Sequence, residues 1–255
     1  MKPTFPITQV DIEFWCHKHI GPYIPQYPRL TEIITRYGNR LSNQQFTDAD
    51  PFKIIWVSPS NITHYVIPNA RVFGRVYGGS WDKEISEFNT RERVKSINRH
   101  FCDGVAWEDT DYYQTEMELL QTRGKTRYNC TTPTEVDQHF TSVDQLYETI
   151  YSDGYLSQQE LLSFNPHKTR AANNDEPSTL MNEIGVNIGR SGELLFSRCG
   201  IHRLTIAKLL DCDRVPVNIR VRHRKWQQLR NEIIHSPSRS PISHPDLSDL
   251  TSSPP

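Results

Sequence analysis

The amino-acid sequence predicts an α+β fold in which helices pack on a small mixed sheet. The prediction comes from residues 183–225, where apolar residues alternate, then take helical spacing, and then alternate again. Gly189 and Gly192 interrupt the first alternating segment, as expected for a hairpin. The order of elements along this stretch is therefore strand, strand, helix, strand.

Upstream of this stretch, the first predicted elements are a helix and a strand. Residues 53–57 form a short apolar run that Pro59 ends, which is typical of a strand. The helix is indicated by apolar residues at helical spacing, namely Leu30, Ile33, Ile34, Tyr37 and Leu41.

Two more helices are predicted before the hairpin. Asn89 and Glu92 have the spacing of a capped helix start. Ser142 and Gln145 have similar spacing ahead of a second apolar helical face, and Gly154 is placed to end that helix. The polar residues 163–182 that follow are predicted to form a loop.

The hairpin strands are predicted from strict alternation of apolar residues. Ile184, Val186 and Ile188 indicate a strand with one buried face. Leu194 and Phe196 resume the alternation after the glycine turn.

A helix from about Ile201 to Leu210 follows directly after Gly200. The first turn of a helix leaves backbone N–H groups unpaired, so it is a favourable place for an anion. Glycine allows close approach of a phosphate, His202 can donate a hydrogen bond, and Arg203 offers a bidentate fork. Gly200, His202 and Arg203 are therefore candidate phosphate ligands; alternatively, His202 and Arg203 only cap the junction.

The last strand is followed by a basic stretch. Residues 214–230 contain six Lys and Arg and no acidic residue. Arg220 and Arg222 share the strand face opposite Val221, so they are expected either to converge with Arg203 on one polyphosphate or to form an ordinary solvated face.

These residues resemble the ParB/sulfiredoxin superfamily, in which a hairpin leads into a Gly-x-[His/Arg]-Arg motif that opens a helix before a Val-Pro strand. The matching residues here are Gly200, His202, Arg203, Ala207 and Val215-Pro216. A second match, 146–158, resembles the family's helix that ends in glycine. The two matches cover roughly a third of the chain and bear on fold more directly than on activity.

The resemblance implies a ParB/sulfiredoxin-like core at 51–235, interrupted by a largely helical insertion at about 69–141. Residues 1–50 are then an N-terminal extension. Residues 236–255 are predicted to be a disordered tail from their composition.

The resemblance also implies a nucleotide-binding protein. Some relatives in the superfamily hydrolyse a nucleotide or transfer its phosphate to a small molecule, so the resemblance allows either activity here. A nucleoside triphosphate with Mg²⁺ is the implied ligand. Ile201 stands where sulfiredoxins have a catalytic cysteine, so sulfinic-acid reduction is not expected, and no catalytic residue is identified. The alternative is a non-catalytic DNA- or protein-binding module of ParB type that lacks the helix-turn-helix domain.

Two accessory positions are considered for the phosphate site. Arg75 and Asp82 flank a glycine turn and are candidates for the rim of the phosphate site, although an ordinary hairpin or loop with Trp81 buried is the favoured interpretation. Asp82 or Asp109 could supply a carboxylate for Mg²⁺. Residues 107–113, which contain Asp109, are interpreted mainly as a helix start with acidic residues near the positive end of its dipole.

Composition restricts the remaining possibilities. The net charge of -1 gives no bulk attraction to nucleic acid or to a membrane, so DNA is a less favoured partner than a phosphorylated small molecule. No apolar run is long enough to span a membrane. The five cysteines show no disulfide framework, and a cytoplasmic protein is expected. The motif Cys16-His17-Lys18-His19 has no second ligand cluster, so no metal site is predicted.

Overall fold

The computed structural model describes residues 27–41, 45–66, 73–164, 181–235 and 243–251. The motif Cys16-His17-Lys18-His19 and most of the predicted loop 163–182 lie outside the described residues.

The described residues form helices and strands with the following bounds. The helices are α1 (Tyr27–Leu41), α2 (Glu92–Asp103), α3 (Asp111–Arg123), α4 (Pro133–Asp153), α5 (Gln158–Phe164), α6 (Ile201–Leu209), α7 (Arg224–His235) and α8 (Ser248–Thr251). The strands are β1 (Ile54–Val57), β2 (His64–Val66), β3 (Arg75–Tyr77), β4 (Ile85–Glu87), β5 (Ile184–Ile188), β6 (Leu194–Arg198) and β7 (Val215–His223).

The strands form one mixed sheet of seven strands in the order β1-β7-β5-β6-β2-β4, with β3 also paired to β7. β5 and β6 form the predicted antiparallel hairpin, and β7 runs parallel to β5. The predicted combination of a mixed sheet and packed helices is therefore confirmed. Residues 75–77 and 85–87, within the range interpreted as an insertion, contribute β3 and β4 to the sheet.

The central strands β5 and β7 are buried along their whole length, which corrects the expectation of a single buried face. Leu194 and Phe196 of β6 pack in the main core with Leu204 of α6. Leu195 alternates with them and packs with Trp81 in a separate cluster on the opposite face. Both faces are covered, so alternation of apolar residues could not show how deeply these strands are buried.

Helix α6 lies between the sheet and a layer formed by α2, α3 and α4. Leu204 and Ala207 face the sheet core, whereas Ile206 joins the helical core with Tyr112 and Phe140. The broad apolar surface predicted for this helix is therefore used on two sides. Its predicted start at Ile201 is confirmed.

Two predicted helix caps are wrong, although both helices are present. Ser142 lies in the interior of α4, where its hydroxyl donates to the carbonyl of His139. The helix begins nine residues earlier at Pro133, and Thr132 caps it by accepting from the backbone N–H of Glu135. Asn89 lies in a 3₁₀ turn, Phe88–Thr90, before α2. In contrast, Gly154 ends α4 as predicted.

Residues 243–251, within the predicted disordered tail, pack against the sheet and α7. Asp246 and Leu247 are fully buried there, since Asp246 pairs with Arg222 of β7 and Leu247 joins the main core. The prediction of a tail relied on composition alone. Composition does not show contacts between residues that are distant in sequence, and such contacts hold this segment in place.

Candidate functional site at the start of helix α6

The turn before α6 has an unusual backbone. Cys199 and Gly200 both have positive φ, at 60° and 70°. Gly200 is the N-cap of α6 and provides no side-chain cap. A Cβ atom at Gly200 would lie 2.8 Å from Cγ1 of Ile184. Glycine is thus required here both by conformation and by space.

Arg203 points from this turn into the interior. Its guanidinium lies 3.3 Å from a carboxylate oxygen of Glu183 and donates to the main-chain carbonyl of Asn182. The second carboxylate oxygen of Glu183 accepts from the backbone N–H of Gln158 at 2.6 Å. Burial raises the pKa of Glu183 above its ordinary value, and Arg203 offsets this only in part.

Arg220 reaches the same place from β7. Its guanidinium donates to the carbonyl of Met181 at 2.8 Å, lies 3.5 Å from the Cys199 sulfur, and stacks 3.9 Å from the centre of the Phe73 ring. Arg203 and Arg220 therefore bind consecutive carbonyls beside the Cys199–Gly200 turn. We refer to Arg203 and Arg220 as the junction arginines.

Arg222, predicted beside Arg220, lies in a different environment. It forms a two-point contact with Asp246, at 2.5 and 3.0 Å. Asp246 also accepts from the indole N–H of Trp226 at 2.9 Å and contacts Arg230. Arg230 in turn binds Asp48 and Asp249. We refer to Arg222 and Arg230 as the clamp arginines, because they hold the C-terminal segment.

The two predicted rim residues also have partners within the fold. Arg75 is buried and stacks 3.9 Å above the ring of Phe46. Asp82 receives a two-point contact from Arg190, at 2.6 and 2.7 Å. Burial opposes ionisation of Asp82, but Arg190 outweighs it and lowers the pKa of Asp82. Asp109 lies exposed in a 3₁₀ turn, Trp107–Asp109.

His202 points away from the junction arginines and contacts the helical layer. Its Nε2 atom lies 2.9 Å from the hydroxyl of Tyr112, and that hydroxyl lies 2.9 Å from Nε2 of His139. Tyr128 stacks on His139 with ring centres 4.0 Å apart, and Arg93 lies above the rings of both tyrosines. No local sequence pattern indicates this cluster, because its members come from α2, α3, α4, α6 and one loop.

Two buried amides lie on the sheet face opposite the main core. Asn218 alternates on β7 with Val217 and Ile219, which pack in the main core. Asn187 is on β5, the adjacent strand. Both are completely buried, and neither amide group has a hydrogen-bond partner among the described residues. Buried amides of this kind usually bind water or a polar ligand.

No group of three His, Cys, Asp or Glu side chains in the described part of the chain is arranged to hold a metal ion. None of the helices described there has the length and apolar composition that crossing a membrane requires. The chain matches no protein-family model, no curated protein and no solved structure.

Proposed function

We propose that the chain is a ParB/sulfiredoxin-like protein that binds a nucleotide or another phosphorylated small molecule at the start of α6. The observation that carries the proposal is the positive-φ turn at Gly200, which begins a nine-residue helix without a side-chain cap. A phosphate at this position would accept hydrogen bonds from the first helical N–H groups and would face the positive end of the helix dipole.

The junction arginines support the same proposal. Arg203 and Arg220 place two guanidinium groups beside the turn, with Glu183 as a carboxylate partner of Arg203. An anion at the turn would therefore meet a positive environment of low dielectric, where charge–charge attraction is stronger than in water.

The alternative, a DNA-binding module, depends on an accessible basic surface at 214–230. Three of its six basic residues, Arg220, Arg222 and Arg230, are buried and bonded within the fold. Because a protein that neutralises several phosphates of DNA needs a broad exposed basic face, this burial favours a compact anionic ligand.

If the protein turns its ligand over, His202 is the proton-exchanging side chain next to the turn. An imidazole there can donate a proton to a leaving oxygen or accept one from an attacking hydroxyl. Mg²⁺ would accompany a nucleotide mainly through phosphate oxygens and water, since Asp82 is occupied by Arg190. Hydrolysis and phosphotransfer to a small molecule both fit this arrangement.

A thermal-shift panel of nucleoside di- and triphosphates with Mg²⁺ tests the proposal. At a ligand concentration of about 100 times Kd, binding stabilises the folded state by roughly 2.7 kcal/mol, which raises Tm by several degrees. The double variant Glu183→Gln/Arg203→Gln removes both charges of the buried pair together, so no buried charge is left unpaired. We expect it to fold and to lose most of the ligand-induced shift.

The matched control is Lys208→Gln, which removes a positive charge from the far end of the same helix. We expect this variant to keep the full ligand-induced shift. The absence of a shift with every nucleotide in the wild-type chain, or an undiminished shift in the double variant, would contradict the assignment of the site.

A further inference from the structure

Tyr112 joins two histidines through a single hydroxyl group. The hydroxyl oxygen lies 2.9 Å from Nε2 of His139 and 2.9 Å from Nε2 of His202. Tyr112 itself is completely buried, whereas both histidines are half-buried. Buried tyrosines usually have one hydrogen-bond partner for the hydroxyl, so contact with two imidazoles is distinctive.

The bridging hydroxyl can serve the two histidines in different roles. A neutral tyrosine carries one hydroxyl proton and has lone pairs to accept, so it can donate to one imidazole nitrogen and accept from the other. In that arrangement one histidine carries a proton on Nε2 while the other presents a bare Nε2, and Tyr128, which also interacts with the Tyr112 hydroxyl, is the competing partner. Burial, with Tyr128 close by, raises the pKa of Tyr112 well above its ordinary value, so the hydroxyl remains protonated through the range in which histidines titrate.

We propose that His139, Tyr112 and His202 form a proton relay that ends at the second residue of α6. In one step, starting from doubly protonated His139 and neutral His202 with a bare Nε2, the Nε2 proton of His139 passes to the Tyr112 oxygen while the hydroxyl proton passes to Nε2 of His202. One positive charge thereby moves from His139 to His202, and no oxidation or reduction takes place. The proton transfer itself does not depend on the proposed function; only the identity of the ligand that would receive the proton rests on it.

The charged groups around Tyr112 determine which histidine holds the extra proton. Arg93 of α2 lies over the Tyr112 ring and lowers the pKa of its hydroxyl, whereas Glu116 of α3, which is paired with Arg127, raises that pKa. The dipole of α6 has its positive end next to His202 and opposes a positive charge there. A phosphate at the turn would reverse this preference and draw the proton to His202, where it is available for transfer.

NMR titration of the histidine rings from pH 5 to 9 tests the relay without any ligand. In the wild-type chain, His139 and His202 should each report two shared titration steps, as coupled groups do. Tyr112→Phe keeps the ring and removes the hydroxyl, and each histidine should then titrate in one independent step. The control is Tyr113→Phe, which removes a hydroxyl from the next residue of α3, where it binds Asp137; its curves should match those of the wild-type chain.

A second variant covers the case in which Tyr112→Phe fails to fold. In His139→Gln, His202 should lose its second titration step. Titration curves of His202 that are unchanged in both Tyr112→Phe and His139→Gln would overturn the relay.

Calorimetry with inorganic pyrophosphate separates the relay from the proposed function. Binding measured in buffers of different ionisation enthalpy gives the protons taken up, and we expect uptake by the wild-type chain and a loss of that uptake in Tyr112→Phe with binding retained. Uptake that is equal in the two proteins contradicts the relay. If the wild-type chain binds neither pyrophosphate nor any nucleotide, the proposed function fails, and the ligand-free NMR titration still decides the relay.

Discussion

The junction arginines and the clamp arginines are equally buried but are held by different chemistry. The clamp arginines, Arg222 and Arg230, face three carboxylates, which belong to Asp48, Asp246 and Asp249. The junction arginines bind Glu183 and two main-chain carbonyls beside a helix N-terminus. Arg220 and Arg222 are only two residues apart on β7, and both are buried. What distinguishes them is the group that each guanidinium binds: a carboxylate holds Arg222 in a structural role, whereas a main-chain carbonyl holds Arg220, the candidate ligand.

Charge balance explains what each cluster can do. At the clamp, the three carboxylates are balanced by the two guanidinium groups and by Lys53, which lies 3.1 Å from Asp249, so an additional anion would meet no net positive charge. At the junction, burial raises the pKa of Glu183 and outweighs the opposing effect of Arg203, so the carboxylate neutralises the arginines less strongly than an exposed one would. An anion at the turn would thus meet a less neutralised pair of arginines than an anion at the clamp.

The largest expected effect is at the clamp. Asp246→Asn leaves Arg222 with a neutral partner in a completely buried site, whereas Arg230 keeps Asp48 and Asp249, and breaking a buried pair of this kind costs roughly 3–5 kcal/mol. Urea unfolding at neutral pH measures the loss. Asp213→Asn is the control, because Asp213 is exposed and its substitution should change stability by less than about 0.5 kcal/mol. A loss under about 1 kcal/mol at Asp246 would mean that the segment 243–251 does not depend on this contact.

A smaller effect is expected at the junction. Gly200→Ala places a Cβ atom 2.8 Å from the Ile184 side chain in a residue with φ of 70°. Gly104 ends α2 with φ of 68° and has open space around the missing Cβ, so Gly104→Ala is a matched control for conformation alone. We expect a loss of about 1–2 kcal/mol at Gly104 from the left-handed backbone. The contact with Ile184 should add roughly 1–3 kcal/mol at Gly200.

Urea unfolding of the two glycine variants gives the difference directly. Equal losses would show that the turn at Gly200 has room for a side chain. The junction would then be less tightly packed than the short distance to Ile184 indicates.

The sequence predicted local elements better than it predicted contacts between distant residues. The hairpin, the start of α6 at Ile201 and the end of α4 at Gly154 follow from spacing and glycine placement, which act over a few residues. The burial of Asp246 and the bridge from Tyr112 to His139 and His202 depend on residues up to 90 positions apart. Their side chains carry no local signal, since an aspartate in a polar segment and a tyrosine in a helix look the same in sequence wherever they pack.

The clamp and the junction should also respond to pH with opposite signs. Burial would raise the pKa of Asp246, but Arg222 and Arg230 outweigh it and lower the pKa to about 2. A lowered pKa contributes stability that is present above the ordinary value of 3.8 and is lost as the pH falls toward 2. The loss amounts to about 2 kcal/mol, since one pKa unit corresponds to roughly 1.4 kcal/mol. Asp246→Asn should remove this part of the acid dependence.

The raised pKa of Glu183 has the reverse consequence and is the smallest effect. Its contribution is present below the ordinary pKa of 4.5 and is lost as the pH rises through the folded-state pKa, because the folded chain then holds the proton more tightly than the unfolded chain. Glu183→Gln is neutral at every pH, so the stability of this variant relative to the wild-type chain should improve as the pH rises above 4.5. Urea midpoints between pH 2 and pH 8 for the wild-type chain and both variants measure the two slopes. The contrary result is that Glu183→Gln loses stability relative to the wild-type chain as the pH rises. Arg203 would then lower the pKa of Glu183, as the clamp arginines lower the pKa of Asp246, and the contrast between the two clusters would disappear.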